Sequence, residues 1–98
     1  MAYQIRFSRD AERQQGELSA RDRGILLEAI EEQLMHQPDV ATRHRKLLRE
    51  NPLADWELRV GQYRVLYDLE ADEKVVMILA IGVKFHNVLW IEGKENHL

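Results

Sequence analysis

Trp56, Leu58 and Val60 alternate with Glu57, Arg59 and Gly61, and after Gly61-Gln62 the alternation resumes as Tyr63, Val65 and Tyr67 against Arg64, Leu66 and Asp68. Period-two patterning on both sides of a Gly-containing dipeptide predicts a β-hairpin, with strands over residues 56–60 and 63–69. A third apolar run, residues 74–83, follows Asp72-Glu73 as its turn. Val75, Val76, Met77, Ile78, Leu79, Ala80 and Ile81 are apolar on both faces of that run, which predicts a central strand covered on both sides. Upstream, Tyr3, Ile5 and Phe7 alternate with Gln4 and Arg6 as a short first strand.

Two helices are predicted between these strands. Ser8 offers an N-cap oxygen, and Asp10 and Glu12 lie in the first turn, where the helix dipole favours acids. This helix runs to about Gln15 and ends at Gly16. Ser19 is the next N-cap, with Asp22 at its third position in a near-capping-box. Leu26, Ile30 and Leu34 then recur at helical spacing, Leu27 widens the stripe, and Pro38 stops the helix. Together they make an αα-hairpin. Residues 40–55 have no clean period and contain Asn51 and Pro52, which predicts a loop with one helical turn over residues 46–49. The tail after Asn87 carries Val88, Leu89, Trp90 and Ile91 and reads as an edge strand or a short docked segment. The expected fold is α+β: N-terminal strand, αα-hairpin and an antiparallel three-strand meander, with the helices packed on one face of the sheet.

The chain has 98 residues, which predicts one domain over residues 1–98, and a net charge of −3. It has no cysteine, which excludes disulfides and thiolate metal sites and fits a cytoplasmic location. Residues 1–7 carry no apolar signal core, and no run approaches the ~18 apolar residues of a membrane span, so no membrane partner is expected. Net acidity argues against indiscriminate coating of nucleic acid. The distribution changes that picture. Residues 43–64 carry six cations against three acids, whereas each flank carries three more acids than cations. A basic island between acidic flanks suggests a localised anion site. Within it, Arg43, Arg45, Lys46 and Arg49 read as a patch that tracks a phosphate backbone, or as a solvated basic loop.

Arg59 and Arg64 flank the hairpin turn, and Lys84 closes the next strand. Three cations from neighbouring strands can converge on one sheet face and hold a phosphate, a task that suits guanidinium groups, which stay charged and fork two oxygens. The competing readings are a cross-strand ion pair of Arg64 with Glu57, and solvated strand-edge charges for Arg59 and Lys84. His86 lies two residues beyond Lys84, so on a continuing strand it would share that face and serve as general acid or base. Glu57 shares a face with Arg59 and reads either as a base or as its ion-pair partner. His36, His44 and His97 show no metal-ligand spacing, and neither a metal nor a cofactor is expected. Trp56, Tyr63 and Tyr67 sit at core parity, while Trp90, in the poorly periodic tail, is the better base-stacking candidate.

The order of elements, the Arg45-Lys46-Leu47 segment, Trp56 through Asp68 with its Arg-x-Gly-x-Tyr-Arg-Val-x-Tyr pattern, and Ile81-Gly82-Val83-Lys84 resemble the RelE/ParE superfamily of toxins from type II bacterial toxin–antitoxin modules. The resemblance implies a sheet with basic residues on its concave face. It also implies a small cognate antitoxin whose C-terminal segment wraps the toxin. In the RelE-type branch the face is a metal-free endoribonuclease, an mRNA interferase that cuts messenger RNA on the ribosome, blocks translation and arrests growth. In the ParE-type branch the target is DNA gyrase and the nuclease residues are missing. A third expectation is a catalytically degraded homologue that only binds antitoxin. By resemblance, Arg64 matches the arginine that stabilises the scissile phosphate, Arg59 falls at a lysine of the preceding strand, and Lys84 replaces an arginine. Trp90 lies where the nuclease branch has a catalytic tyrosine, and Glu57 lies near another of its lysines.

Overall fold

The computed structural model describes residues 2–98. Strand β1 (Gln4–Phe7) leads into helix α1 (Arg9–Gly16) and helix α2 (Ala20–Leu34); five more strands precede the last, as β2 (Arg45–Leu47), β3 (Trp56–Val60), β4 (Tyr63–Glu70), β5 (Val75–Phe85), β6 (Val88–Ile91) and β7 (Lys94–Asn96). Both helices start where the sequence places their caps. The Ser8 hydroxyl accepts from Ala11 N–H, and the Ser19 hydroxyl accepts from Asp22 N–H, each satisfying a donor the first turn cannot.

The sheet runs β2-β3-β4-β5-β6-β7, every neighbour antiparallel, and β1 joins β5 in parallel. The doubly apolar run is its centre. One edge of β5 takes β4 along its length; the other is divided between β1, opposite residues 75–78, and β6, opposite residues 83–85. Between those two stretches α1 plugs the edge. Ser8 N–H donates to Ile78 C=O, the Ser8 hydroxyl donates to Leu79 C=O, and the buried Gln14 carboxamide oxygen accepts from Ile81 N–H at 2.8 Å. A buried backbone donor left unpaired would cost as much as a lost hydrogen bond, so the break between β1 and β6 is closed by Ser8, through its backbone and hydroxyl, and by the Gln14 side chain.

Alternation sorts the sheet into two faces. Trp56, Leu58, Val65, Tyr67, Val76 and Ile78 face the helices and pack with Ala11, Leu26, Ile30 and Leu34. Tyr63 anchors this layer, donating from its hydroxyl to Asp22 at 2.7 Å, which raises its pKa first through that bond and then through burial. Tyr67 donates to Pro38 C=O, and burial pushes its pKa up. The far face is smaller: Ala54, Leu66 and Leu89 are buried there, with Leu48, Leu53 and Leu98 packed against them. Loop and tail, rather than a helix, cover the second face of β5.

Two sequence expectations are corrected. Residues 46–49 form no helical turn; β2 pairs Arg45, Lys46 and Leu47 with Leu58, Glu57 and Trp56, and Leu48 N–H continues the ladder to Asp55 C=O. Three residues are too few to show a period, so the pairing partner decides. The tail is a hairpin of two strands. It enters through His86-Asn87 and turns at Glu92-Gly93, all four with positive φ, the geometry of two-residue primed turns.

Candidate functional site

The β3–β4 hairpin turns at Gly61-Gln62, where Gly61 has φ 58°, a conformation that favours glycine at the first position of a II′ turn. That tight turn sets Arg59 directly opposite Arg64, and both point to the far face with Glu57. Like charges opposed across strands repel. Glu57 relieves them: its side chain is only 7% exposed, and one carboxylate oxygen lies 3.6 Å from Arg59 Nε and 3.9 Å from Arg64 Nε. Lys46 is its cross-strand neighbour on the other side.

The cations do not share one role. Arg64 turns back on the hairpin, donating from Nη1 to Gly61 C=O at 2.7 Å and to Tyr63 C=O at 2.9 Å. Burial lowers the Arg64 pKa, with Glu57 opposing and Arg59 adding to the shift. Arg59 stays half exposed. Lys84 follows Gly82 by two on β5, which puts it on the same face as Arg64, and it enters no ion pair among the described residues. Lys46, Arg59 and Lys84 line a hollow of about 170 Å³ with Glu57 as its only acidic side chain and with Asn87, Asn96 and His97 on its wall. The hollow is therefore a cationic recess around a buried carboxylate.

Gly82 makes room for this wall. A Cβ there would lie 2.7 Å from Trp90 C=O and 3.0 Å from Leu89 Cδ1. Its absence lets β6 close on β5 and carry β7, with Asn96 and His97, to the hollow.

Five expected site residues sit elsewhere. Arg45 is buried on the helix side, donating from Nε to Val40 C=O and from Nη1 to Gln33 C=O and its side-chain oxygen. It ties β2 to the end of α2 and offers nothing to a phosphate chain. His86 leaves the strand at φ 50°, is exposed, and sets its ring edge-on to Phe85 at 4.1 Å; it does not reach the hollow. Trp90 pairs with Val83 and so faces the helix side, in a cleft with Gln14, Leu18 and Tyr63. Arg43 is exposed and outside the hollow, and Arg49 is exposed, its Nη2 3.5 Å from Leu98 C=O. Strand alternation thus splits the basic run, leaving Lys46 alone at the site.

His97 was missed. Its Nε2 lies 3.4 Å from a Glu95 carboxylate oxygen, and it reaches the hollow only because the tail folds into a hairpin. The Glu92-Gly93 turn signal, read with Asn96 opposite Leu89, would have placed it. Among the described residues no three His, Asp or Glu side chains gather as metal ligands, and no helix is long and apolar enough to cross a membrane.

The sequence profile described as "ParE toxin of type II toxin-antitoxin system, parDE" matches residues 5–84. Among solved structures, the chain is similar to one in the toxin–antitoxin complex RelBE2 from Mycobacterium tuberculosis, with a TM-score of 0.70 and 28% identity over 83% of this chain and 96% of that one. Comparison with curated proteins finds no match.

Proposed function

The chain belongs to the ParE toxin family of type II toxin–antitoxin systems, within the RelE/ParE superfamily, and from that premise we propose that it is a toxin that cuts messenger RNA at the cationic hollow. The observation that carries this reading is the hollow itself: three cations around a carboxylate, with an imidazole on the rim. Metal-free RNA cleavage needs those parts. The 2′-oxygen gives up its proton and attacks the adjacent phosphorus, the bond from phosphorus to the 5′-oxygen breaks, and the leaving oxygen takes a proton. Lys84, Arg59 and Lys46 hold the phosphate and its developing charge. Glu57 takes the 2′-proton, and His97, oriented by Glu95, supplies the leaving-group proton. Arg64 acts one step back, fixing the turn that presents Arg59.

A net charge of −3 with one small cationic recess gives little hold on free RNA. The reading is therefore of a message held by the ribosome, and of a cognate antitoxin that neutralises the toxin. Induced expression should arrest growth, with primer extension revealing cuts in cellular messages that Lys84→Ala abolishes. A second reading, inhibition of DNA gyrase, is favoured by the ParE profile match. Arrested cells with intact messages and broken DNA would establish it and overturn the first.

A further inference from the structure

We propose that the cleft beside the cationic hollow is a nucleobase subsite for the nucleotide whose phosphate the hollow holds; the inference rests on the phosphate reading of that hollow. At about 170 Å³ the hollow is smaller than the roughly 300 Å³ at which ligand pockets begin. It accommodates a phosphate and leaves a sugar and base to find room outside. A cleft of about 490 Å³ lies on the same face, and Asn96 lines both spaces, so they meet at one residue.

The two spaces differ in chemistry as the two ends of a nucleotide do. Leu53, Leu79, Ala80 and Ile91 line the cleft and belong to the apolar layer of the far face, against which a ring can pack. Its charged rim is Asp10, Glu92 and Lys94, with both acids held by Arg13 at 3.1 and 2.7 Å. The Arg13 hydrogen bond first, then that of Gln14, keeps the Glu92 carboxyl below the usual carboxylate range. Each carboxylate keeps acceptor capacity beyond its bond to Arg13 and can accept from an exocyclic amino group. The cleft thus offers an apolar surface and carboxylate acceptors that suit adenine, cytosine or guanine.

The test uses the full chain and three probes: inorganic phosphate, ribose 5-phosphate and adenosine 5′-monophosphate. Calorimetry should find adenosine 5′-monophosphate bound about ten-fold tighter than ribose 5-phosphate. Ala80→Leu, which fills the cleft, should narrow that gap to about two-fold. In parent protein, with no substitution to disturb folding, methyl resonances of Leu53, Leu79 and Ile91 should shift with adenosine 5′-monophosphate and stay still with ribose 5-phosphate. Equal affinity for the two organic phosphates, or unmoved methyls, overturns the base subsite and leaves the cleft to a protein partner. A chain that binds none of the three probes, inorganic phosphate included, overturns the phosphate reading as well.

Discussion

Gly82→Ala isolates the packing on which the hollow depends. The new methyl would sit 2.7 Å from Trp90 C=O, 2.9 Å from Ile91 Cγ1 and 3.0 Å from Leu89 Cδ1. The two side chains can rotate away. The carbonyl cannot, because it belongs to β6, whose residues are registered as Val83 to Trp90, Lys84 to Leu89 and Phe85 to Val88. Relief therefore moves the β6–β7 hairpin, at a cost of about 2–3 kcal/mol for overpacking a fitted contact. For a domain of this size that lowers Tm by roughly 8–20 °C. The same substitution at Gly24 serves as the control: a Cβ there meets nothing within 4 Å on α2, so Gly24→Ala should stabilise by about 0.5–1 kcal/mol. Differential scanning calorimetry reads both, and amide exchange should report loss of protection confined first to β6 and β7. Because β7 brings Asn96 and His97 to the hollow, toxicity should fall with Gly82→Ala at temperatures where the rest of the sheet stays folded. A Gly82→Ala protein melting within about 1 °C of the parent, with β6 still protected, would refute the close approach and the reasoning built on it.

Gln14→Leu keeps the volume and removes the acceptor for Ile81 N–H; urea unfolding should give a loss of about 1–3 kcal/mol with unchanged m, and an unchanged midpoint would mean β5 needs no plug. Tyr63→Phe removes a hydroxyl whose folded pKa is raised by Asp22, so its stabilisation is complete below the ordinary tyrosine pKa and is lost as pH rises through the folded value. The stability gap between parent and Tyr63→Phe should thus be constant from neutral to mildly alkaline pH and close above that; a gap that widens with alkali contradicts the assignment. Glu57→Gln leaves Arg59 opposite Arg64 without their carboxylate. It should cost about 1–2 kcal/mol, abolish cleavage, and strengthen phosphate binding several-fold. Weaker phosphate binding would place Glu57 outside the hollow's electrostatics.

The fold was legible where patterns are long or chemically marked. The hairpin announced itself through two alternating runs around Gly61, and both helices through a serine cap and an apolar stripe. What escaped was set by pairing. Three residues of β2 carry no period, so Arg45 and Lys46 read as one patch until alternation sent one guanidinium under α2 and the ammonium to the hollow. His86 was expected to extend β5, yet it takes positive φ at a turn without glycine, a weak signal for any sequence reading. That turn also fixed the parity of Trp90, sending it to the helix side. The convergence of Arg59 and Lys84 was readable from parity alone. The withdrawal of Arg64 to the turn carbonyls was not, because it depends on where Glu57 is buried.

Phosphate titration followed by backbone and side-chain NMR tests the central claim most directly. At constant ionic strength, inorganic phosphate should shift resonances of Lys46, Arg59, Lys84 and His97 together along one saturable curve, and Lys84→Ala should weaken that curve about ten-fold. Shifts scattered over Arg43, Arg49 and other exposed cations, or a response that Lys84→Ala leaves unaltered, would contradict it.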